Sequence, residues 1–299
     1  MASLKEIRTR IESVQSTEQI TTAMRMVSAS KLRKAQQAFS AIQPYSDALF
    51  DVSWEISAFL KQEEQGVSAS DVEKSNEHAL ENVLLLVFSS NKGLCGPFNI
   101  NVVKYVNELI NTSYQQHLKE GKLHIATVGK KAGDILEKQG FPVVSHHHDL
   151  LTLNHKDVFS FSEQLFNHFQ KGAYQKIILI YNRFKTILTQ ELTEQQFLPI
   201  LPPPERKKTQ RLPADLIMEP DKETVLQWLY PRMLEITLYR TFLESMTSEE
   251  GARMSAMQQA SDNAAVLLKE LKLSYNKARQ ASITNELLEI MAGSEALNN

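Results

Sequence analysis

The strongest constraint on this chain is where proline is missing. Of its ten prolines, six lie between Pro199 and Pro220, whereas residues 1–43 and 232–299 contain none. Proline removes a backbone donor and clashes with the preceding helical turn, so the two chain ends are where long helices can form. The apolar spacing agrees. Leu4, Ile7, Ile11 and Val14 alternate by three and four, the pattern slips near Glu18, and a second run follows at Ala35, Ala38, Ile42, Tyr45, Leu49, Val52, Ile56 and Phe59. This is a heptad seam with one register change. Pro44 falls inside it and is expected to kink the helix rather than end it, because the seam stays in phase on both sides.

At the other end Asp221 follows Pro220 as a plausible cap, and the helical pattern runs to about Ala292, before Gly293. Its seam reads Met257, Ala260, Ala264, Leu267, Leu271, Ser274, Ala278 and Ala281, small residues for a pairing surface, with Gly251 the weakest point. At 1.5 Å per residue the two helices would extend about 87 and 108 Å, more than the diameter of a globule of this size. They are expected to pair with each other and to project.

Between the ends the period changes. Short apolar runs at 83–90 (VLLLVFSS), 123–129 (LHIATVG) and 176–182 (KIILIYN) alternate with helical patterns around 98–111, 130–139 and 158–171. Continuous apolar runs suit strands covered on both faces, and strand–helix alternation implies an open, mostly parallel sheet. Residues 184–200 alternate in polarity and read as an added edge strand or hairpin; 202–213 read as an exposed loop. The expected division is an amino-terminal helix (1–60), an acidic linker (61–81), an α/β domain (82–220) and a carboxy-terminal helix (221–299).

Composition narrows the function classes. A net charge of −2 gives no global attraction to nucleic acid or lipid, although residues 1–43 carry seven basic against three acidic side chains. Cys95 is the only cysteine, which rules out an intrachain disulfide and fits a reducing compartment. No apolar run approaches a membrane span. The amino terminus has no signal-peptide core and carries Glu6 and Glu12, unlike an acid-poor transit sequence.

Three local motifs invite chemistry. The turn SSNKGLCGPFN (89–99) joins a strand to a helix, the place where nucleotide folds bind phosphate. Gly93 and Gly96 match neither the dinucleotide fingerprint nor a phosphate loop, so a tight turn with Pro97 at the first helical position is the favoured reading. His146, His147, His148 and Asp149 sit in an extended segment whose side chains alternate sides, which suits a polar surface loop better than a metal site. Met24 and Met26, with Met254 and Met257, face either each other or a partner.

QITTAMRMVSASKLRKAQ (19–36), the glycine turn, SEEGARMSAMQQASDNA (248–264) and YNKARQASITNELLEIMAGSEAL (275–297) together resemble the gamma subunit of the rotary F-type ATP synthase. The resemblance implies a long antiparallel coiled coil of the terminal helices with an inserted Rossmann-like open α/β domain. It implies a central rotor shaft that couples ion-driven rotation of the membrane c-ring to ATP synthesis or hydrolysis on the beta subunits. The implied partners are the alpha and beta subunits (three of each), the epsilon subunit and the c-ring, with no nucleic acid and with membrane association only through the complex.

Met24, Arg25 and Lys31, Lys92 and Cys95 of the glycine turn, and Arg253, Gln280, Thr284 and Glu286 match the family's contacts to beta. No catalytic residue, cofactor or metal is implied. Gln19 and Thr22 stand where lysine is common in the family, which weakens the basic face there. The expected location is the cytoplasmic face of a bacterial inner membrane, because the family pattern starts directly after Met1. Two other classes remain: a coiled-coil adaptor carrying an α/β domain, and a nucleotide-dependent enzyme.

Overall fold

A computed structural model of the chain describes residues 4–63, 81–152, 155–187, 189–200, 219 and 221–298. Most of the expected 61–81 linker and the whole of the expected 202–213 loop lie outside these residues. The backbone forms α1 (Leu4–Glu63), β1 (Val83–Phe88), α2 (Phe98–Ser113), α3 (Gln115–Lys119), β2 (Leu123–Val128), α4 (Lys130–Lys138), β3 (Val143–His147), a short 3-10 turn at Asp149–Thr152, α5 (His155–Gln170), β4 (Lys176–Phe184), β5 (Gln190–Leu198) and α6 (Lys222–Asn298). The chain divides into two compact units, one of residues 1–29 with 253–299 and one of residues 30–252.

The larger unit is built on one sheet in the order β3-β2-β1-β4-β5. The first four strands are parallel and β5 returns antiparallel to β4. This is the expected open α/β sheet with its added edge strand. The apolar run of β1 is continuous because both sheet faces are covered. Leu84, Leu86 and Phe88 pack with Val158, Phe161 and Leu165 of α5 and with Leu234, Leu238 and Phe242 of α6. Val83, Leu85 and Val87 pack with Val102, Val106 and Ile110 of α2 and with Leu136 of α4. A strand buried on both sides has no polar face to alternate with.

Two glycines allow close approaches. Gly129, at φ +98°, lies so near the Ser89 carbonyl that a Cβ there would be 2.2 Å from its oxygen. Gly133 gives up its side chain to the His146 ring, which a Cβ would meet at 2.8 Å. Gly251, the expected weak point of α6, is instead helical and buried, facing Phe184 and Ile187 of the sheet hairpin.

The helices root in this unit along a heptad line of buried and half-buried residues on α1: Leu32, Ala35, Phe39, Ile42, Ser46, Leu49, Ser53 and Ile56. Of the expected seam, Ala38, Tyr45 and Val52 fall one residue off this line, and Phe59 lies outside the described side chains. Tyr45 is 43% exposed while Ser46 is fully buried. Hydroxyls take positions that an apolar reading assigns to their neighbours, and Ser53 satisfies itself by donating to the Leu49 carbonyl at 2.6 Å. Pro44 faces solvent and α1 stays helical through it.

In the smaller unit the two helices run antiparallel, since Thr21 pairs with Ser261 and Arg25 with Gln258. The heptad line on α1 is Ile7, Ile11, Val14, Glu18, Thr21, Arg25 and Ser28, and on α6 it is Met257, Ser261, Ala264, Leu268, Leu271, Tyr275, Ala278 and Ser282. The expected slip near Glu18 is therefore absent. Polar residues continue the line, and the Thr21 and Ser261 hydroxyls meet at 2.7 Å. On α6 the expected Ser274 and Ala281 are exposed.

The boundaries of α6 also differ from expectation at one end. Asp221 caps its start, accepting from the Thr224 backbone N–H at 2.8 Å. At the far end the helix passes Gly293 and reaches Asn298. The histidine run is the remaining correction. His146 and His147 belong to edge strand β3 rather than to a loop, a strand too short and polar to register by apolar period.

Candidate partner interface

The glycine turn is cross-linked by its own hydrogen bonds. Ser90 donates from its backbone N–H to Asn99 Oδ1 at 3.0 Å, and Asn99 Nδ2 donates to Ser90 Oγ at 2.8 Å and to Cys95 Sγ at 3.1 Å. Ser90 Oγ in turn donates to the Lys92 carbonyl at 2.6 Å. Leu94 and Gly96 take positive φ, +63° and +59°, which folds the turn back on itself. Pro97 occupies the cap position rather than the first helical one, and α2 begins at Phe98, where the 98–111 pattern places it.

Beneath the turn Cys95, Phe98 and Ala252 form a small apolar cluster, so α6 supports it directly. Lys92 and Leu94 are left on the outside, with Leu94 60% exposed. Cys95 was expected as a contact residue, but its side chain is only 1% exposed. Its thiol is spent on internal contacts, so what it contributes is the shape of the turn.

In the same unit Lys31 is exposed and lies 3.8 Å from Glu250, a buried carboxylate. That pairing fixes the ammonium in place while leaving half of the side chain open to solvent. Such a pair contributes little to stability because one partner is well solvated.

The smaller unit holds the other expected residues. Met24 is half-buried beside the pairing line. Arg25 is half-buried too, and its guanidinium donates to Gln258, which then donates to Asp262 Oδ1 at 2.8 Å. Arg253 is buried, with 6% of its surface exposed. Gln280, Thr284 and Glu286 are exposed on α6, where Thr284 Oγ1 donates to the Gln280 carbonyl at 2.9 Å.

An exposed apolar surface accompanies these residues, of which the sequence singles out Met26 alone. Ile20, Met26 and Val27 on α1 are 60%, 61% and 57% exposed. On α6 the pairing line stops at Ser282, and Ile283, Leu287, Leu288, Ile290 and Met291 are 49–68% exposed. The heptad line read from the sequence ends at Ala281 and says nothing of the exposure of this stretch, which periodicity does not reveal. Apolar residues gathered on one exposed helix end mark an interaction surface.

The family model described as ATP synthase matches residues 3–297. The chain is 44% identical to the ATP synthase gamma chain of Christiangramia forsetii over 299 residues, covering 100% of both chains. It is likewise 44% identical to that of Flavobacterium johnsoniae, again covering 100% of both. The chain belongs to the ATP synthase gamma family. Solved structures agree on the fold. A chain of the Tetrahymena thermophila mitochondrial ATP synthase central stalk and c-ring superposes with a TM-score of 0.58 at 25% identity, over 81% of this chain and 99% of that one. A chain of the Euglena gracilis mitochondrial ATP synthase superposes with a TM-score of 0.64 at 20% identity, over 98% and 94%.

Within that family the corrected seams gain significance. The small pairing residues Ala264, Ala278, Ser261 and Ser282 belong to a helix pair whose outward residues, not its seam, carry the exposed apolar surface. Among the described residues no helix is long and apolar enough to cross a membrane.

Proposed function

We propose that this chain is the central rotor shaft of an ATP synthase, coupling rotation of a membrane c-ring to ATP synthesis or hydrolysis on beta subunits. The observation that carries this reading is the full-length identity to bacterial gamma chains, 44% with neither chain left uncovered. The paired terminal helices and the inserted sheet supply the parts such a subunit needs.

In this reading the chain is a non-catalytic subunit. Three alpha and three beta subunits surround the helix pair, and ATP chemistry proceeds on beta. The chain's asymmetric surface presents different contacts to the three beta subunits and biases their nucleotide sites toward different states, a population shift set by differential contact. Met24, Arg25 and Lys31, the Lys92 turn shaped by Cys95, and Gln280, Thr284 and Glu286 face beta, with Arg253 buried as a support. The exposed apolar end of α6 lies against the inner wall of the ring. The epsilon subunit and the c-ring engage the α/β part, no cofactor or metal is needed, and the chain resides on the cytoplasmic face of a bacterial inner membrane.

A slim pair is what a bore demands. Small seam residues let helices approach closely, and polar seam pairs such as Thr21–Ser261 restore order that alanine and serine alone would not impose.

The test is affinity purification of the tagged full chain from its own cells. Stoichiometric alpha, beta and epsilon subunits are expected. Recovery of the folded chain without them would overturn the assignment and leave the adaptor reading.

A further inference from the structure

The histidine strand stands apart from everything assigned above, and its contacts lead back to the glycine turn. On one side of β3 the His146 ring lies between two partners. Its Nε2 donates to Glu137 Oε1 of α4 at 2.7 Å, and its Nδ1 pairs with the buried Thr127 hydroxyl at 2.9 Å. The His148 ring is 5.4 Å from that of His146. On the other side His147 packs on Phe161 of α5 with ring centroids 4.4 Å apart, and its Nε2 meets Ser145 Oγ at 3.1 Å. Phe161 belongs to the main core cluster under β1.

The residue just after the strand is then tied to the turn. Asn91 Nδ2 donates to the His148 carbonyl at 2.9 Å, and Asn91 Oδ1 accepts from the Lys130 backbone N–H at 3.2 Å. One asparagine therefore joins the end of β3, the start of α4 and the turn that carries Lys92.

We propose that β3 is an acid-sensitive latch, in which protonation of His147 undocks its ring from Phe161, loosens the strand end and releases Asn91 and the glycine turn. The charges that matter have been placed unevenly. The His146 ring has a carboxylate, Glu137, that accepts a hydrogen bond from its Nε2. His147 has Phe161 facing it from α5 and Ser145, His146 and His148 beside it along the chain, so a charged ring there is half-buried against an aromatic core and repelled by both neighbouring histidines.

Burial, then His146, then His148 hold its pKa below the ordinary 6.5. With the folded-state value depressed, the latch is closed above about 6.5 and opens as the pH falls below it, since the undocked strand takes up the proton more readily. Any consequence for catalysis rests on the partner reading given above; the latch itself does not.

The experiment is hydrogen exchange on the full chain, followed by mass spectrometry and corrected for the intrinsic pH dependence of amide exchange. Between pH 7.5 and 5.5, protection of residues 143–148 and of residues 89–92 should fall together, by up to about tenfold per pH unit for one proton. His147→Phe, which keeps an aromatic ring on Phe161, should abolish the fall; His147→Gln serves if the larger ring disturbs packing. Unchanged protection in the parent would overturn the proposal. So would an equal fall in the variants, or a fall confined to 143–148 with the turn unaffected.

Discussion

Arg240 offers the sharpest test of how the long helices are rooted in the sheet-bearing unit. Its Nε donates to Glu244 Oε1 at 3.2 Å, its Nη1 lies 3.6 Å from Asp47 on α1, and its guanidinium sits 5.6 Å from the Phe39 ring centroid. Glu244 is buried and also faces Arg183 of β4 at 3.8 Å. One side chain thus connects α1, α6 and the sheet.

Arg240→Ala removes all three contacts. Stranding a buried carboxylate costs about 3–5 kcal/mol in general, but Arg183 remains and Arg240 is itself 31% exposed, so about 2 kcal/mol is the better figure here. The ring contact adds about 0.5–1 kcal/mol and the half-solvated Asp47 pair less than about 1. The total is about 3 kcal/mol, equivalent to a fall in Tm of roughly 6–12 °C for a unit of this size.

Urea denaturation of the purified chain should show a lower midpoint with an unchanged slope. Glu244→Gln should cost less, and the double variant should cost less than the sum by about 1–2 kcal/mol, because the two act on one another. A loss below about 1 kcal/mol for Arg240→Ala, or strict additivity in the cycle, would refute the idea that this pair ties the helices to the sheet.

Other outcomes follow from single sites. Gly251→Ala places its new methyl at 3.5 Å from the Phe184 ring, ordinary contact, so helix propensity should prevail and raise stability by up to about 1 kcal/mol in the same assay; a loss would mean that the hairpin cannot yield. Ala264→Phe forces a ring into the pairing line at a residue 8% exposed, at a cost of about 1–3 kcal/mol, and should prevent co-purification of alpha and beta subunits. Normal recovery of the complex would show that the pair need not be slim. Met24→Lys, on the proposed beta-facing surface, should lower the ions pumped per ATP hydrolysed in membrane vesicles, and an unchanged ratio would remove Met24 from that surface.

What the sequence disclosed and what it hid have physical causes. Proline distribution and heptad spacing located both long helices, and the continuous apolar runs located β1, β2 and β4, because burial on one or two faces leaves a periodic trace. Several of the seam differences share one cause. At Ser46, Ser53 and Ser261 a hydroxyl lies on the line where the neighbouring Tyr45, Val52 or Ala260 is expected, and a hydroxyl leaves no hydrophobic signal; Ser53 donates to backbone and Ser261 meets Thr21. Strand β3 escaped notice because it is an edge strand of five residues with three polar side chains.

For the interface, the residue types were legible but their exposure was not. Lys92, Gln280, Thr284 and Glu286 are indeed on the surface, whereas Cys95 and Arg253 are buried, and no periodicity separates a residue that supports a surface from one that forms it. The apolar end of α6 reads from the sequence only as continuing helix, because pairing depends on where the opposite helix stops.

The central claim is that this chain turns. Its most direct test is single-molecule observation of the assembled alpha–beta complex immobilised on glass, with a bead fixed through a cysteine placed at Lys104, an exposed position on α2. On adding ATP the bead should rotate in one direction in discrete steps of about a third of a turn, as three equivalent beta sites require. An active, correctly assembled complex whose bead stays still would contradict the account.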